Sequence, residues 1–273
     1  MPRRYRVSSR NAAFQQWESL LGNRTKRHRA REFIVQGVRP ISLAVEHGWR
    51  VRTLLHGPGP RSRWADETLG RVDAERAELT PDLLRELGEK DEDTPELLAV
   101  VEMPEDDLAR IPVGHDALVV VFDRPTSPGN VGTLIRSADA FGASGVVITG
   151  HAADPYDPRA VRASTGSLFA LPVLRAAGHR EVLDWVEAVR RDGIPIEVVG
   201  TDETGEVEIA DADLTGARVL VVGNETVGMS AGWRDASDRT VRIPISGAAS
   251  SLNAASAATV ALYEASRQRR AAR

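Results

Sequence analysis

The chain contains no cysteine among its 273 residues. That absence excludes a disulfide framework, a thiol nucleophile and any cysteine-ligated zinc or iron–sulfur site. Long apolar runs are missing too: stretches such as Ala117 to Phe122 fall far short of the ~20 residues that a membrane-spanning helix needs. The opening Met-Pro-Arg-Arg-Tyr-Arg is basic and lacks the apolar core of a secretory signal. Lysine is scarce, with only Lys26 and Lys90 among 35 cationic residues. Together with the many alanines, this reflects a GC-rich genome rather than a function. There is no Gly-x-x-x-x-Gly-Lys-Ser/Thr phosphate loop, no Gly-x-Gly-x-x-Gly after a strand and no Gly-x-Ser-x-Gly elbow. The 6 histidines (28, 47, 56, 115, 151 and 179) are scattered without metal-ligand spacing, so no metal site is expected. These absences leave a cytoplasmic protein with no membrane segment as the expectation.

What is present is ordinary in amount and uneven in placement. A hydrophobic fraction of 42% with 27% charged residues is that of a globular chain able to bury sizeable cores. At ~150 residues per domain the length suggests about two domains. Residues 1–40 hold ten basic side chains against Glu18 and Glu32, a local charge of +8 in a chain whose total is −4. Such asymmetry fits a basic arm for a polyanion on an acidic body, and equally a solvated terminus.

Apolar spacing predicts a small α/β unit over 1–103. Helical spacing runs from Asn11 to Leu21 and from Val38 to His47, with strands at 33–35, 51–55 and 97–101. Two further helices near 61–70 and 80–87 lead through Glu89-Lys90-Asp91-Glu92-Asp93 to the last of these strands. The Pro- and charge-rich stretch 104–114 reads as a linker. From 115 to 273 strands and helices alternate, which predicts a mostly parallel sheet covered on both faces.

Ligands of open α/β sheets gather at the carboxyl ends of strands, and three polar or glycine-rich loops fall there. The first runs from Asp123 through Asn130-Val-Gly-Thr-Leu-Ile-Arg136 and places a helix start after two glycines, with Arg136 among apolar neighbours. The second is Gly223-Asn224-Glu225-Thr-Val-Gly228, main chain with one fixed carboxylate. The third is Ile243-Pro-Ile245-Ser-Gly247, then Ser251-Leu252-Asn253 before the last helix. Taken singly, each also reads as plain structure: Asn130 as a helix cap, Arg136 in a surface ion pair, Glu225 at an exposed turn, and Ser251 as a cap with Asn253 in the first turn.

In this order and spacing the three segments resemble the three motifs of the SpoU (TrmH-like) family of RNA ribose 2′-O-methyltransferases, within the SPOUT class. Ala140-Phe-Gly-Ala143, Val161-Arg-Ala-Ser-Thr-Gly166, Leu171-Pro172-Val173 and Leu262-Tyr-Glu264 extend the match over about 117–265. Residues 8–101 resemble, less specifically, the family's substrate-binding domain, which is similar to a large-subunit ribosomal protein. The resemblance implies a deep trefoil knot at the carboxyl end and a homodimer through the knotted domains, the partner helping to complete the site. It also implies S-adenosyl-L-methionine held largely by main chain at Gly223, Asn224, Ile243, Ile245 and Leu252. Arg136, Asn130, Glu225, Ser251 and Asn253 carry over as the catalytic set. The resemblance implies Arg136 as the base that activates the 2′-hydroxyl. A guanidinium rarely deprotonates and fits better as a clamp on ribose or phosphate, with Glu225 orienting it. Two departures stand out: Gln36 occupies a place where the family often has Glu, and Ala254-Ala255 replaces Val-Ser.

RNA binding has separate support in Arg24, Lys26, Arg27, Arg29 and Arg31, with His28 among them and Arg39 beyond, a cluster able to meet several phosphates. The expectation is a methyltransferase acting on ribosomal RNA in preference to transfer RNA. Some relatives of this layout confer antibiotic resistance. The alternatives are a transfer RNA 2′-O-methyltransferase and a non-catalytic RNA-binding or ribosome-assembly protein of the same fold.

Overall fold

The computed structural model describes residues 3–89 and 94–272. The acidic connection through Lys90, Asp91, Glu92 and Asp93 therefore lies outside the described residues. The chain forms two compact units, one of residues 1–104 with 156–170 and one of 105–155 with 171–273. This division differs from the expected one at two places. The stretch 105–114 belongs to the second unit, where Ile111 is buried in the core and Asp106 binds Arg175. The segment 156–170 belongs to the first.

The first unit contains β1 (Arg4–Val7), α1 (Ala12–Gly22), α2 (Arg24–Ala30), β2 (Glu32–Gln36), α3 (Val38–Glu46), β3 (Val51–His56), α4 (Arg63–Arg71), β4 (Glu75–Leu79), α5 (Pro81–Leu87) and β5 (Leu97–Glu102). Its sheet has the order β1-β4-β3-β5-β2. Strand β5 runs antiparallel to both neighbours, while β4 lies parallel to β1 and β3. Residues 4–7 are thus no free arm. Val7 is buried, Arg6 pairs with Glu78, and residues 4–7 form the edge strand, too short a run for apolar periodicity to reveal.

The helix Pro158–Ser164 and the 3-10 turn Ser167–Phe169 complete this unit. Phe33 meets Tyr156 at 4.9 Å between ring centroids, Trp49 meets Phe169 at 5.0 Å, and Trp49 Nε1 donates to the Phe169 carbonyl at 3.1 Å. Such rings add aromatic contact energy to their buried area. Gly166, with φ +99, lies where a β-carbon would come within 2.6 Å of Leu43.

Arg27 departs from its expected role. It is buried, its Nη1 donates to the Leu20 and Leu21 carbonyls at 2.8 and 3.0 Å, and Asp157 lies 3.7 Å from Nη2. A guanidinium so enclosed ties the end of α1 to the helix at 158, and phosphate cannot reach it. Arg27→Ala strands two carbonyls and a carboxylate, so it should destabilise the first unit by about 3 kcal/mol. Urea unfolding measures this; an unchanged midpoint would refute the structural role.

The second unit contains β6 (Leu118–Asp123), α6 (Pro128–Ala140), β7 (Gly145–Thr149), β8 (Val173–Ala176), α8 (His179–Arg191), β9 (Glu197–Thr201), β10 (Val207–Glu208), β11 (Arg218–Val222), α9 (Ala231–Ala236), β12 (Arg239–Arg242) and α10 (Ala254–Ala271), the helix at 158 taking the number α7. Its seven strands have the order β10-β12-β9-β11-β6-β7-β8, every described pairing parallel. The central β6 and β11, Leu-Val-Val-Val-Phe-Asp and Arg-Val-Leu-Val-Val, are buried along their whole length, as a parallel sheet covered on both faces requires. The carboxyl ends of β6, β9, β11 and β12 bring the segments after 123, 201, 222 and 242 to one edge.

Candidate active site

Two of those segments meet over one carboxylate. Glu225 Oε2 accepts from the Thr126 amide and hydroxyl, each at 3.1 Å, and Oε1 accepts from Asn130 Nδ2 at 3.0 Å and the Ser127 amide at 3.4 Å. Burial alone would raise the Glu225 pKa, but hydrogen bonds from Asn130 and Thr126 outweigh it and hold the carboxyl below its ordinary 4.5. The other face of the Asn130 amide continues the chain: Asn253 Nδ2 donates to Asn130 Oδ1 at 3.2 Å. Asn253 is itself the N-cap of α10, its Oδ1 accepting from the Ala255 and Ser256 amides at 3.0 and 3.2 Å. The helix amides fix the orientation of Asn253, Asn253 fixes that of Asn130, and the Asn130 amide then donates to the Glu225 carboxylate.

The caps differ from expectation in one respect each. Ser127, not Asn130, caps α6, and Asn253, not Ser251, caps α10. The observed cap lies three residues before Asn130 in α6 and two residues after Ser251 in α10. A further correction concerns Arg136: Glu225 does not orient it. Both Glu225 oxygens are occupied by 126, 127 and 130, while Arg136 is exposed on α6 and no hydrogen bond or ion pair joins it to the described residues.

Beside Glu225 opens a cavity of about 480 Å³. All five residues expected at the cofactor, Gly223, Asn224, Ile243, Ile245 and Leu252, line it, and so do Glu225 and Ser251. Arg136, Asn130 and Asn253 do not. The floor is the turn 224–228, closed by reciprocal main-chain bonds of 3.0 Å between Asn224 and Gly228. Gly223 is there because nothing else fits, since a β-carbon would lie 2.2 Å from the Met229 nitrogen.

The sequence reading missed one wall, formed by Thr201, Asp202, Thr204 and Arg234. Its only signal is the polar Asp-Glu-Thr-Gly run after a strand. Burial would raise the Asp202 pKa, but the Thr204 amide and hydroxyl and Arg234 at 3.6 Å outweigh it and keep the carboxyl below 3.8. Three carboxylates (Asp202, Glu203 and Glu225), one guanidinium and the apolar Ile243, Ile245, Leu252 and Val227 suit an organic ligand that bears positive charge.

A pH dependence follows from Glu225. A folded-state pKa below the unfolded value contributes stability that is present above that unfolded value and is lost as pH falls through the folded one. Because Glu225 also lines the cavity, ligand affinity should follow the same sign, flat through neutral pH with a Glu225 limb below 4.5. Glu225→Gln should abolish that acid limb in a calorimetric titration, and a persisting limb would transfer it to another carboxyl.

Of the expected RNA-contacting residues, Arg24, Lys26, Arg29 and Arg39 are exposed. Arg31 is half-buried and donates from Nη2 to the Met103 carbonyl at 3.0 Å, and Arg27 is the buried tie described above. Among the described residues no group of three or more His, Asp or Glu is arranged to hold a metal, and no helix is long and apolar enough to cross a membrane.

A parallel sheet whose strand ends carry an asparagine-relayed carboxylate beside a cavity of ligand size defines an α/β protein with a bound-cofactor type of site. Comparison with known proteins gives its family. Residues 117–263 match the SpoU rRNA Methylase family and residues 11–99 the SpoU L30e-like domain, and the chain belongs to that family. It is 62% identical to a 23S rRNA (uridine(2479)-2′-O)-methyltransferase of Streptomyces viridochromogenes, over 98% of this chain and 94% of that one. The crystal structure of the SpoU methyltransferase AviRb from that organism, in complex with the cofactor AdoMet, superposes with a TM-score of 0.93 at 62% identity, covering 97% of this chain and 100% of that one. More distantly, the 23S rRNA (guanosine(2553)-2′-O)-methyltransferase RlmP of Bacillus subtilis is 29% identical over 94% of this chain and 96% of its own.

Proposed function

We propose that the protein transfers a methyl group from S-adenosyl-L-methionine to a ribose 2′-hydroxyl of 23S ribosomal RNA, in the cytoplasm where that RNA is made. The observation that carries this reading is the relay Glu225–Asn130–Asn253, which joins all three motif segments at the rim of the cavity. The cavity fits the cofactor. Its volume lies within the ~300–1,000 Å³ usual for such ligands, and Gly223 leaves main chain bare where a β-carbon would fill the cradle. Gly223, Asn224, Ile243, Ile245 and Leu252 would hold the cofactor, with Asp202 and Glu225 offering charge opposite to its own. When bound, the cofactor supplies an electrophilic methyl group on a positively charged sulfur.

The chain's own residues then have three tasks. Asn130, Asn253 and Ser251 fix the loops between which the ribose must enter. Arg136 clamps the ribose or its adjacent phosphate through a bidentate guanidinium. It is no base, since a guanidinium stays protonated at any working pH. Four hydrogen bonds occupy the Glu225 oxygens and lower their affinity for a proton, so Glu225 is assigned no base role. We assign the hydroxyl proton instead to a phosphate oxygen of the RNA. Because Arg136 stands outside the cavity, the proposal includes a homodimer in which the partner subunit completes the site. It also includes a trefoil knot through which α10 is threaded. Exposed Ile245, Leu252, Val260 and Tyr263 give the second unit apolar surface for that dimer.

Radiolabelled methyl transfer to ribosomal RNA and transfer RNA, each taken from cells lacking the protein, tests the reading. The expected result is label in ribosomal RNA, recovered as a 2′-O-methyl nucleoside. Label in transfer RNA alone would overturn the choice of substrate, and absence of cofactor binding would favour a non-catalytic RNA-binding protein. Lys26→Ala with Arg29→Ala should reduce the salt slope of RNA binding by about 2 and leave cofactor affinity unchanged. A filter-binding salt series measures it, and an unchanged slope would place the RNA elsewhere.

A further inference from the structure

Arg124 is one of four described residues other than glycine with positive φ, at 54°. A side-chain-bearing residue pays for that left-handed backbone, and the conformation persists where its surroundings over-determine it. The surroundings here are specific. Arg124 Nε donates to Asp123 Oδ2 at 3.1 Å, and Nη2 donates to the Gly228 carbonyl at 3.2 Å. The Arg124 carbonyl accepts from Asn224 Nδ2 at 2.7 Å. Asp123, buried at the end of β6, is held in turn by the Thr149 hydroxyl at 3.2 Å and accepts from the Ser230 amide at 2.8 Å. On the far side Gly150 leaves just enough room, for a β-carbon there would come within 2.8 Å of Arg124 Cγ.

The dipeptide 123–124 thus grips the loop at 224, 228 and 230, both ends of the turn that floors the cavity, and Arg124 does not itself line that cavity. The turn's other anchor is Glu225, held by Thr126, Ser127 and Asn130, and beyond that carboxylate little fixes its far side. Thr226, Val227 and Gly228 are exposed, and their remaining bonds run to Asn224. We propose that Arg124 is a positioning residue for cofactor binding, bracing the 224–228 turn in its binding shape from behind. The inference rests on the cofactor reading of the cavity, and it adds a residue that neither the expected catalytic set nor the expected cofactor set contains.

Arg124→Gly tests it, because glycine adopts the same φ without strain while losing the guanidinium. With no cofactor present, the Gly228 amide, which donates to the Asn224 carbonyl, should exchange with solvent about tenfold faster than in the native protein. The Kd for S-adenosyl-L-methionine should rise about tenfold, while kcat at saturating cofactor stays within about twofold and the unfolding midpoint moves little. Arg124→Lys, which keeps the charge but cannot reach Asp123 and Gly228 together, should fall between. Unchanged exchange with unchanged Kd overturns the proposal. So does a fall in kcat at unchanged Kd, which would place Arg124 on the RNA. If the native protein binds no cofactor, the functional reading fails instead, and the exchange measurement still judges the brace.

Discussion

Gly223→Ala should abolish cofactor binding. The added β-carbon would stand 2.2 Å from the Met229 nitrogen, 2.3 Å from the Gly228 carbonyl carbon and 2.8 Å from the Gly228 Cα, all main chain. Nothing on that side can yield cheaply. Gly228 is paired with Asn224 in both directions, Met229 is buried, and the Ser230 amide is bound to Asp123. The clash must be relieved by unmaking the turn, and the turn is the cavity floor. Overpacking of this kind costs at least about 1–3 kcal/mol, and because the distortion falls on ligand-binding backbone we expect a loss of affinity of roughly a hundredfold or more. Isothermal titration with S-adenosyl-L-methionine measures it; affinity within a few-fold of native would mean the turn can re-form around a β-carbon.

Arg136→Ala should produce the opposite profile, with turnover lost and cofactor binding intact. Arg136 lines no part of the cavity and is exposed, so its removal leaves neither a hole nor a stranded partner among the described residues. As the proposed clamp, it would contribute only through the substrate. Loss of a charged donor at a reacting centre typically lowers kcat by about a hundred- to a thousandfold. Arg136→Lys should recover little, since an ammonium cannot grip a phosphate or a ribose edge at two points. Single-turnover methylation with prebound RNA separates the cases, and full activity in the Lys variant would sink the clamp.

How far the sequence alone led depends on which physical signal each feature leaves. The alternating strands and helices from 118 onward were legible because a parallel sheet buried on both faces needs continuous apolar runs, and Leu118–Asp123 and Arg218–Val222 are such runs. All five expected cofactor residues line one cavity because motif spacing constrains main chain, which is what the cavity is made of. Side-chain roles were harder to foresee. Arg27 sits in a basic run that looks like a phosphate patch, and only the third dimension shows that its helix turns it inward toward Leu20 and Asp157. Asp202 and Arg234 were invisible because they join the cavity from the end of β9 and from α9, 32 positions apart, with no motif between them. The link between Glu225 and Asn130, 95 positions away, followed from resemblance only as shared membership of a site, not as a hydrogen bond.

The excursion of residues 156–170 into the first unit bears on how such a protein can be recombined. A gene cut once near codon 104 and joined to a foreign partner would deliver a first unit without the ring of Phe169 beneath Trp49 and without Asp157 beside the buried Arg27. Exchange of the first unit between lineages therefore requires two coordinated replacements, one at the amino end and one within the stretch that otherwise encodes the second unit. Inheritance by single crossover is penalised, and the two halves are expected to diversify together rather than as interchangeable cassettes.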